Sequence, residues 1–314
     1  MLAMILAVGI GASLAVQTAI NAQLRTYVIS PFLASMISFA IAAIFLSAAT
    51  LLTGSSLSVP LEIFTREPGW IWLGGLCGVI GLTTNILLFP KLGSVQTAVI
   101  PILGMTLMSM LIDHYGWFHS ISQPFGSTRT MGITLVLLGV FLAIAAQDVL
   151  RTRRFSKATN STNQVSQWIW RMVGIGAGML MSVQIAVNGQ LGRVLDSPFH
   201  AAFVSFFVGS ITLILVVALR DRSYTNVKEP IRQFAPWWVW IGGILGGTYV
   251  LINVFLVNQL GTGQTVILAL LGQIIGSLFV EQFGLLRSVK NRIQPIQIVG
   301  ILVMLAGVVL IRMF

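Results

Sequence analysis

The stretch Gly9–Pro31, GIGASLAVQTAINAQLRTYVISP, returns 167 positions later as Gly176–Pro198, GAGMLMSVQIAVNGQLGRVLDSP. Gln17, Asn21 and Gln23 become Gln184, Asn188 and Gln190 in segments that are otherwise apolar. Gly9, Gly11, Leu24 and Pro31-Phe32 recur as Gly176, Gly178, Leu191 and Pro198-Phe199. A repeat of this length dictates architecture, because each copy is a structural unit that must bury its apolar face against another.

The repeat extends well beyond this stretch. WIWLGGLCG at Trp70–Gly78 answers WVWIGGILG at Trp238–Gly246, Asn85 answers Asn253, and KLGSVQT at Lys91–Thr97 answers QLGTGQT at Gln259–Thr265. Farther on, Gly104, Ser109, Asp113 and Gly116 answer Gly272, Ser277, Glu281 and Gly284; between Trp70 and Phe118, 15 of 49 aligned positions are identical. The chain reads as two homologous halves, 1–148 and 172–314, joined by a linker at 149–171.

Composition places both halves in a membrane. Hydrophobic residues make up 56% of the chain and charged residues 8%, with a mean hydropathy of +0.92. A soluble domain carries about 25% charged residues, so this chain could not cover a water-facing surface. The net charge of +10 does not imply nucleic acid, because the basic residues cluster in short segments between apolar runs, as cytoplasmic loops of membrane proteins do. The single cysteine, Cys77, lies in an apolar run and reads as packing. The apolar N-terminus has no basic region before it and a mid-chain counterpart, so it is expected to stay as a membrane span.

A crossing helix needs about 20 apolar residues. The pattern predicts ten, near 3–24, 31–53, 70–89, 93–112 and 129–148 in the first half, and near 172–192, 199–219, 237–257, 263–283 and 294–313 in the second. The expected fold class is an all-α integral membrane protein with ten transmembrane helices as two inverted five-helix repeats. Inversion follows from five being odd: the second half starts on the opposite side of the membrane from the first. Inverted repeats are typical of secondary transporters, with the substrate site near the midplane between them. The Ser/Thr/Asn-rich linker is expected to be a flexible cytoplasmic loop. Fourteen of the eighteen Lys and Arg fall in the odd-numbered loops, which places those loops inside and both termini outside.

Polar groups within these spans are the candidate functional residues. Gln17 and Asn21 are four apart and share a helix face, as do Gln184 and Asn188. An unsatisfied polar group in hydrocarbon costs several kcal/mol, so these amides either bond helices together or line a site for a polar substrate. Asn85 and Asn253, with Gln96 and Gln264, form a second duplicated amide set. The glutamines lie near a helix start, where a capping bond is the plainer reading. Gln273 has Met105 as its counterpart and breaks the symmetry. Asp113 and Glu281 close the fourth and ninth spans, as interfacial anchors or as gating or protonation sites. No ionisable residue sits in mid-span. The glycines Gly74, Gly75, Gly78 and Gly81, with Gly242, Gly243, Gly246 and Gly247, allow close helix approach. Pro101 is expected to kink one half only, and Trp70, Trp72, Trp237, Trp238 and Trp240 read as interfacial anchors. Neither a catalytic signature nor a phosphate-binding loop is visible, and the histidines are too scattered for a metal site.

Two halves, each opening with G-x-G, Q-x-x-x-N-x-Q-L and P-F, and later carrying L-G-x-x-Q-T and an acidic residue before glycine, resemble the YdcZ-like family of the drug/metabolite transporter superfamily, in its fused two-half form. The resemblance implies a bacterial inner-membrane secondary transporter, not an enzyme, that moves a small molecule by alternating access without a cofactor. The small multidrug branch of that superfamily has a glutamate in its first helix, whereas this chain has amides. The substrate expected is therefore small and polar or neutral. A monomer and a homodimer are both open, and the alternative is a non-transporting scaffold or receptor subunit.

Overall fold

The computed structural model describes residues 2–313 apart from 93, 124–125, 156–160, 223, 289 and 291–292. Side chains at 90, 94–96, 98–99, 143–155, 161–166 and 311–313 also lie outside the described set, and Gln96 is among them. The described residues form helices and no strand: α1 (Leu2–Val28), α2 (Pro31–Leu52), α3 (Leu61–Arg66), α4 (Gly74–Leu92), α5 (Ser94–Tyr115), α6 (Ser127–Phe155), α7 (Ser161–Val194), α8 (Pro198–Arg220), α9 (Glu229–Arg232), α10 (Ile241–Leu260), α11 (Thr262–Phe283) and α12 (Pro295–Met313). Helix is the answer the bilayer requires, since lipid offers no partner to backbone N–H and C=O groups.

The repeated landmarks act as helix punctuation. Ser30 and Ser197 precede the two Pro-Phe pairs, and their hydroxyls accept N–H bonds from the first turns of α2 and α8. Proline suits the position after such a cap because its missing N–H would be unpaired anyway. The tryptophan motifs form 3₁₀ turns, Gly69–Trp72 and Trp237–Trp240, that lead into α4 and α10. Between α10 and α11 the chain reverses on Gly261 alone, at φ 82°, a left-handed value that glycine adopts at no steric cost.

Among the described residues, seven helices are long and apolar enough to cross a membrane: Leu2–Val28, Pro31–Leu52, Gly69–Phe89, Gln167–Val194, Pro198–Arg220, Trp237–Leu260 and Thr262–Phe283. Their outward faces are apolar, as Phe207, Ile211, Ile214 and Leu215 show along one side of α8, all at least 45% exposed. Exposed surface of this kind has no counterpart on a soluble monomer and faces lipid.

One sequence expectation differs from the structure. The linker at 149–171 is not an open loop where it is described: α6 runs on to Phe155 and α7 begins at Ser161. An apolar window marks only the lipid-embedded part of a helix and misses a polar extension of it. Pro101 lies within α5, which is one helix from Ser94 to Tyr115.

Helix packing runs mainly between the two halves of the sequence: α1 on α11 and α10, α5 and α4 on α7, α2 on α8 and α6 on α12. Several of these pairs are antiparallel. The start of α2 meets the end of α8 where Ser30 Oγ donates to Asp221 Oδ2, and the opposite ends meet at Ser55 and Ser197. In α6 and α12, Gly139 sits on Gly300 and Met304 while Gly307 sits on Gly132 and Val136. Midway along α2 and α8, Phe39 and Phe206 face each other with ring centroids 4.7 Å apart.

The closest approaches are made by glycines, and they come in matched pairs. A β-carbon at Gly11 would lie 1.8 Å from the carbonyl oxygen of Ala269, and one at Gly178 would lie 2.0 Å from that of Pro101. Likewise a β-carbon at Gly272 would lie 1.8 Å from the carbonyl oxygen of Val8, and one at Gly104 1.9 Å from that of Ile175. Without a hydrophobic drive between helices in lipid, backbone contact of this kind supplies the dispersion and polar contacts that hold them together.

Candidate functional site

The first-helix amides face glycines of the opposite half. On the α1–α10 interface, Asn21 Oδ1 would lie 2.5 Å from a β-carbon at Gly242, and Gln17 Nε2 2.3 Å from one at Gly246. On the α7–α4 interface, Asn188 Oδ1 and Gln184 Nε2 stand against Gly74 and Gly78 at 2.0 and 2.6 Å by the same measure. Each amide thus occupies the space that a missing side chain leaves, and the glycine motifs are explained by the amides as much as by helix contact.

Burial is nearly complete: Asn21 is 0% and Asn188 1% exposed. Neither the amide nitrogen nor the oxygen of either asparagine has a hydrogen-bond partner among the described residues, and Gln17 Oε1 has none. About two turns farther along each glycine helix the condition repeats at Asn85 Oδ1 and Asn253 Oδ1, although Asn253 Nδ2 donates to the Tyr249 carbonyl at 2.8 Å. Leaving such groups unmade costs about 1–3 kcal/mol each in proteins. These amides are therefore not bonding helices to one another. The structure distributes Gln17, Asn21, Gln184, Asn188, Asn85 and Asn253 over the helices of two equivalent interfaces instead of one cluster. Gln264 is half-buried in the first turn of α11, and the side chain of Gln96 lies outside the described residues.

Tyr249 was not singled out by sequence. Its hydroxyl is buried on the same helix as Asn253, one turn away, with no partner among the described residues. Its counterpart is Gly81, so the phenol belongs to one half only.

Asp113 and Glu281 occupy equivalent places in the sequence and different surroundings. Asp113 is 0% exposed and accepts from Arg129 Nη2 at 3.0 Å. It also accepts the backbone N–H groups of Thr262 at 3.2 Å and Gly263 at 2.8 Å. Its carboxylate thus caps the N-terminus of α11, where partial positive charge favours an anion. The L-G-x-x-Q-T motif explains how it gets there: Gly261 makes the turn, and a β-carbon at Gly263 would come within 2.6 Å of Asp113 Oδ2. Around this contact Ser120 Oγ and Thr262 Oγ1 are 2.6 Å apart, Gln123 Nε2 donates to the Leu260 carbonyl at 3.4 Å, and Arg129 Nη1 donates to the Gln123 carbonyl. The whole forms a latch between the α5–α6 end of one half and the α10–α11 turn of the other.

Continuing the repeat register through Gly132/Gly300 and Gly139/Gly307 puts Gln297 where Arg129 stands. Glu281 is buried in the last turns of α11, beside a small crevice of about 20 Å³ lined by α1, α4 and α11. Arg129 and the asymmetry it carries were missed by sequence, although its offset from a buried glutamine was readable there.

Comparison with known proteins follows the same outline. The profile of the family described as "Putative inner membrane exporter, YdcZ" matches residues 2–142 and 169–310. Among solved structures 14 chains match. One, described as "Crystal structure of protein", superposes with a TM-score of 0.62 at 15% identity, covering 98% of this chain and 97% of that one, a likeness of fold alone. No curated protein matches. Spanning helices, glycine-packed interfaces and both matched halves lead to one conclusion: the chain belongs to the YdcZ family, as a multi-pass inner-membrane protein.

Proposed function

We propose that the chain is a secondary transporter that moves a small polar or neutral molecule across the bacterial inner membrane by alternating access, built as two inverted repeats of five crossing helices each. Supporting the inverted arrangement are the paired glycine contacts, which exchange partners when the halves are interchanged, and the antiparallel run of the equivalent helices α2 and α8, and α6 and α12. The positive-inside bias places both termini outside, the α5–α6 latch on the outer face and the Glu281 crevice toward the inner one.

The observation that carries the reading is that the buried amides of Asn21 and Asn188 bond to nothing among the described residues. A scaffold would be expected to pair them with one another, because interhelical bonds are what such groups contribute to a static bundle. Asn21 and Asn188 are unpaired among the described residues and stand on glycine faces, an arrangement that leaves donors and acceptors available when the halves part. A neutral amide lining suits a substrate with its own hydrogen-bonding groups and no net charge.

Replacing Asn21 and Asn188 together with alanine should abolish transport and leave the protein folded, with thermal stability equal to or above that of the parent, since two unsatisfied side chains have been removed. The check is a thermal-shift screen of the purified protein against metabolites, because a ligand of the folded state raises apparent stability. Compounds that stabilise the parent are then assayed for flux in proteoliposomes. Undiminished flux in the double variant would remove the amides from the site.

A further inference from the structure

Equivalent contacts of the two halves are not equally close, and the difference falls at the end of the bundle opposite the Asp113 latch. At the latch end, a β-carbon at Gly189 of α7 would lie 2.2 Å from Val257 Cγ1, and one at Gly192 would lie 2.4 Å from Val254 Cγ1. Two turns earlier on α7, Ser182 Oγ donates to the Met105 carbonyl at 2.7 Å. In the repeat register the same places at the opposite end are Ala22 against Phe89, Arg25 against Ile86, and Ala15 against Gln273. Ala15 has no hydroxyl to make the equivalent bond, and Ala15, Phe89 and Gln273 line the crevice of about 20 Å³ instead. Arg25 bridges α1 to α4 there: its Nη1 donates to the Ile86 carbonyl at 3.0 Å.

That carbonyl is free for a reason written in the sequence. In a helix the C=O of Ile86 would accept from the N–H of residue 90, and residue 90 of α4 is a proline, which has none. A backbone carbonyl freed inside a membrane must find another donor. Arg25 supplies a charged one. In the second half both residues differ together: Arg25 answers to Gly192, and Pro90 to Asn258, which keeps an N–H for the ordinary helix bond. With no proline to free a carbonyl and no arginine to fill it, α7 comes down directly onto α10.

Arg25 also blocks the approach that Gly192 makes. Its side chain cannot fit where a single β-carbon would already clash, so α1 can pack on α4 as α7 packs on α10 only after the guanidinium has left Ile86. Leaving strips the carbonyl of its donor. The bond therefore favours the present arrangement, in which the latch end is closed and the opposite end is more loosely packed.

We infer that Arg25 is a gate residue: its bond to the proline-freed carbonyl of Ile86 holds α1 and α4 apart, and its release lets them close as the latch opens. As a gate it rests on the transporter reading above; as the partner of the freed carbonyl it does not. The test uses the purified full chain in nanodiscs, which leave both faces open to reagent, with Cys77→Ser as background and Thr262→Cys as reporter in the latch. A maleimide too polar to enter the bilayer reads how often the latch opens. Arg25→Gly with Pro90→Asn installs the pair that the second half carries. It should raise the labelling rate at position 262 about tenfold, the population change equivalent to one hydrogen bond to a charged group. Arg25→Gly alone leaves the Ile86 carbonyl bare and should melt several degrees below the parent, and adding Pro90→Asn should restore most of that loss. An unchanged labelling rate in the double variant would overturn the gate. So would a double variant that melts no higher than Arg25→Gly, since Arg25 would then not be serving that carbonyl. Neither measurement contains substrate, so unchanged labelling in a protein that still carries flux in proteoliposomes defeats the gate and leaves the transporter reading standing.

Discussion

Changing Gly11 to alanine should destabilise the folded protein by about 2–3 kcal/mol, while the same change at Gly9, two residues earlier, should stabilise it by up to about 1 kcal/mol. Both glycines belong to the duplicated G-x-G, and sequence alone gives no reason to separate them. In the structure a β-carbon at Gly9 would meet nothing within 4 Å, whereas at Gly11 that carbon would be 1.8 Å from the Ala269 carbonyl oxygen and 2.6 Å from its carbon. Backbone cannot rotate aside as a side chain can, so α1 and α11 must separate along their length. At Gly9 only helix propensity changes, in alanine's favour. The second half should repeat the contrast, with Gly176→Ala tolerated and Gly178→Ala costly, because Gly176 is open and Gly178 rests on Pro101. Denaturant unfolding of the four purified variants measures this; equal stabilities at Gly9 and Gly11 would contradict the close α1–α11 contact.

Removing the charge of Asp113 should cost still more. Asp113→Asn leaves the Arg129 guanidinium, 8% exposed as a residue, without its counter-ion, and weakens the cap on Thr262 and Gly263. Breaking a buried pair from one side typically costs about 3–5 kcal/mol, because the remaining charge is stranded. Adding Arg129→Gln should recover most of that loss, since glutamine is what the second half carries at the equivalent position, Gln297, where it is 1% exposed. Recovery separates a charge-pairing role from a purely packing one: if the double variant is no more stable than Asp113→Asn, the pair is not what Asp113 contributes.

Much of this was legible in sequence because membrane folding leaves few alternatives. Apolar runs of crossing length must be helical, and the glycines that recur with the amides had to be where helices meet. What sequence could not show is which face meets which. Asn21 and Gln17 read equally well as lining a cavity or bonding a neighbour, and only the packing of α1 on α10 sets them against Gly242 and Gly246 with nothing to bond. Asp113 looked like an anchor at a span end because its three partners come from Arg129 and from Thr262 and Gly263, far along the chain. Tyr249 was hidden among aromatic residues, which in a membrane chain are usually packing. The linker misled for another reason: polar residues can continue a helix beyond the bilayer, and an apolar criterion does not see them.

The latch between the halves gives the most direct test of alternating access. Ser120 and Thr262 have their hydroxyl oxygens 2.6 Å apart, close enough for paired cysteines to form a disulfide without large backbone movement. The one native cysteine, Cys77, is buried and should not compete. Flux of a compound found by the stability screen is to be measured in proteoliposomes with Ser120→Cys and Thr262→Cys together, oxidised and then reduced. If the halves must part at this latch, oxidation stops transport and reductant restores it. Transport at the same rate in protein that is fully crosslinked would contradict alternating access through this face.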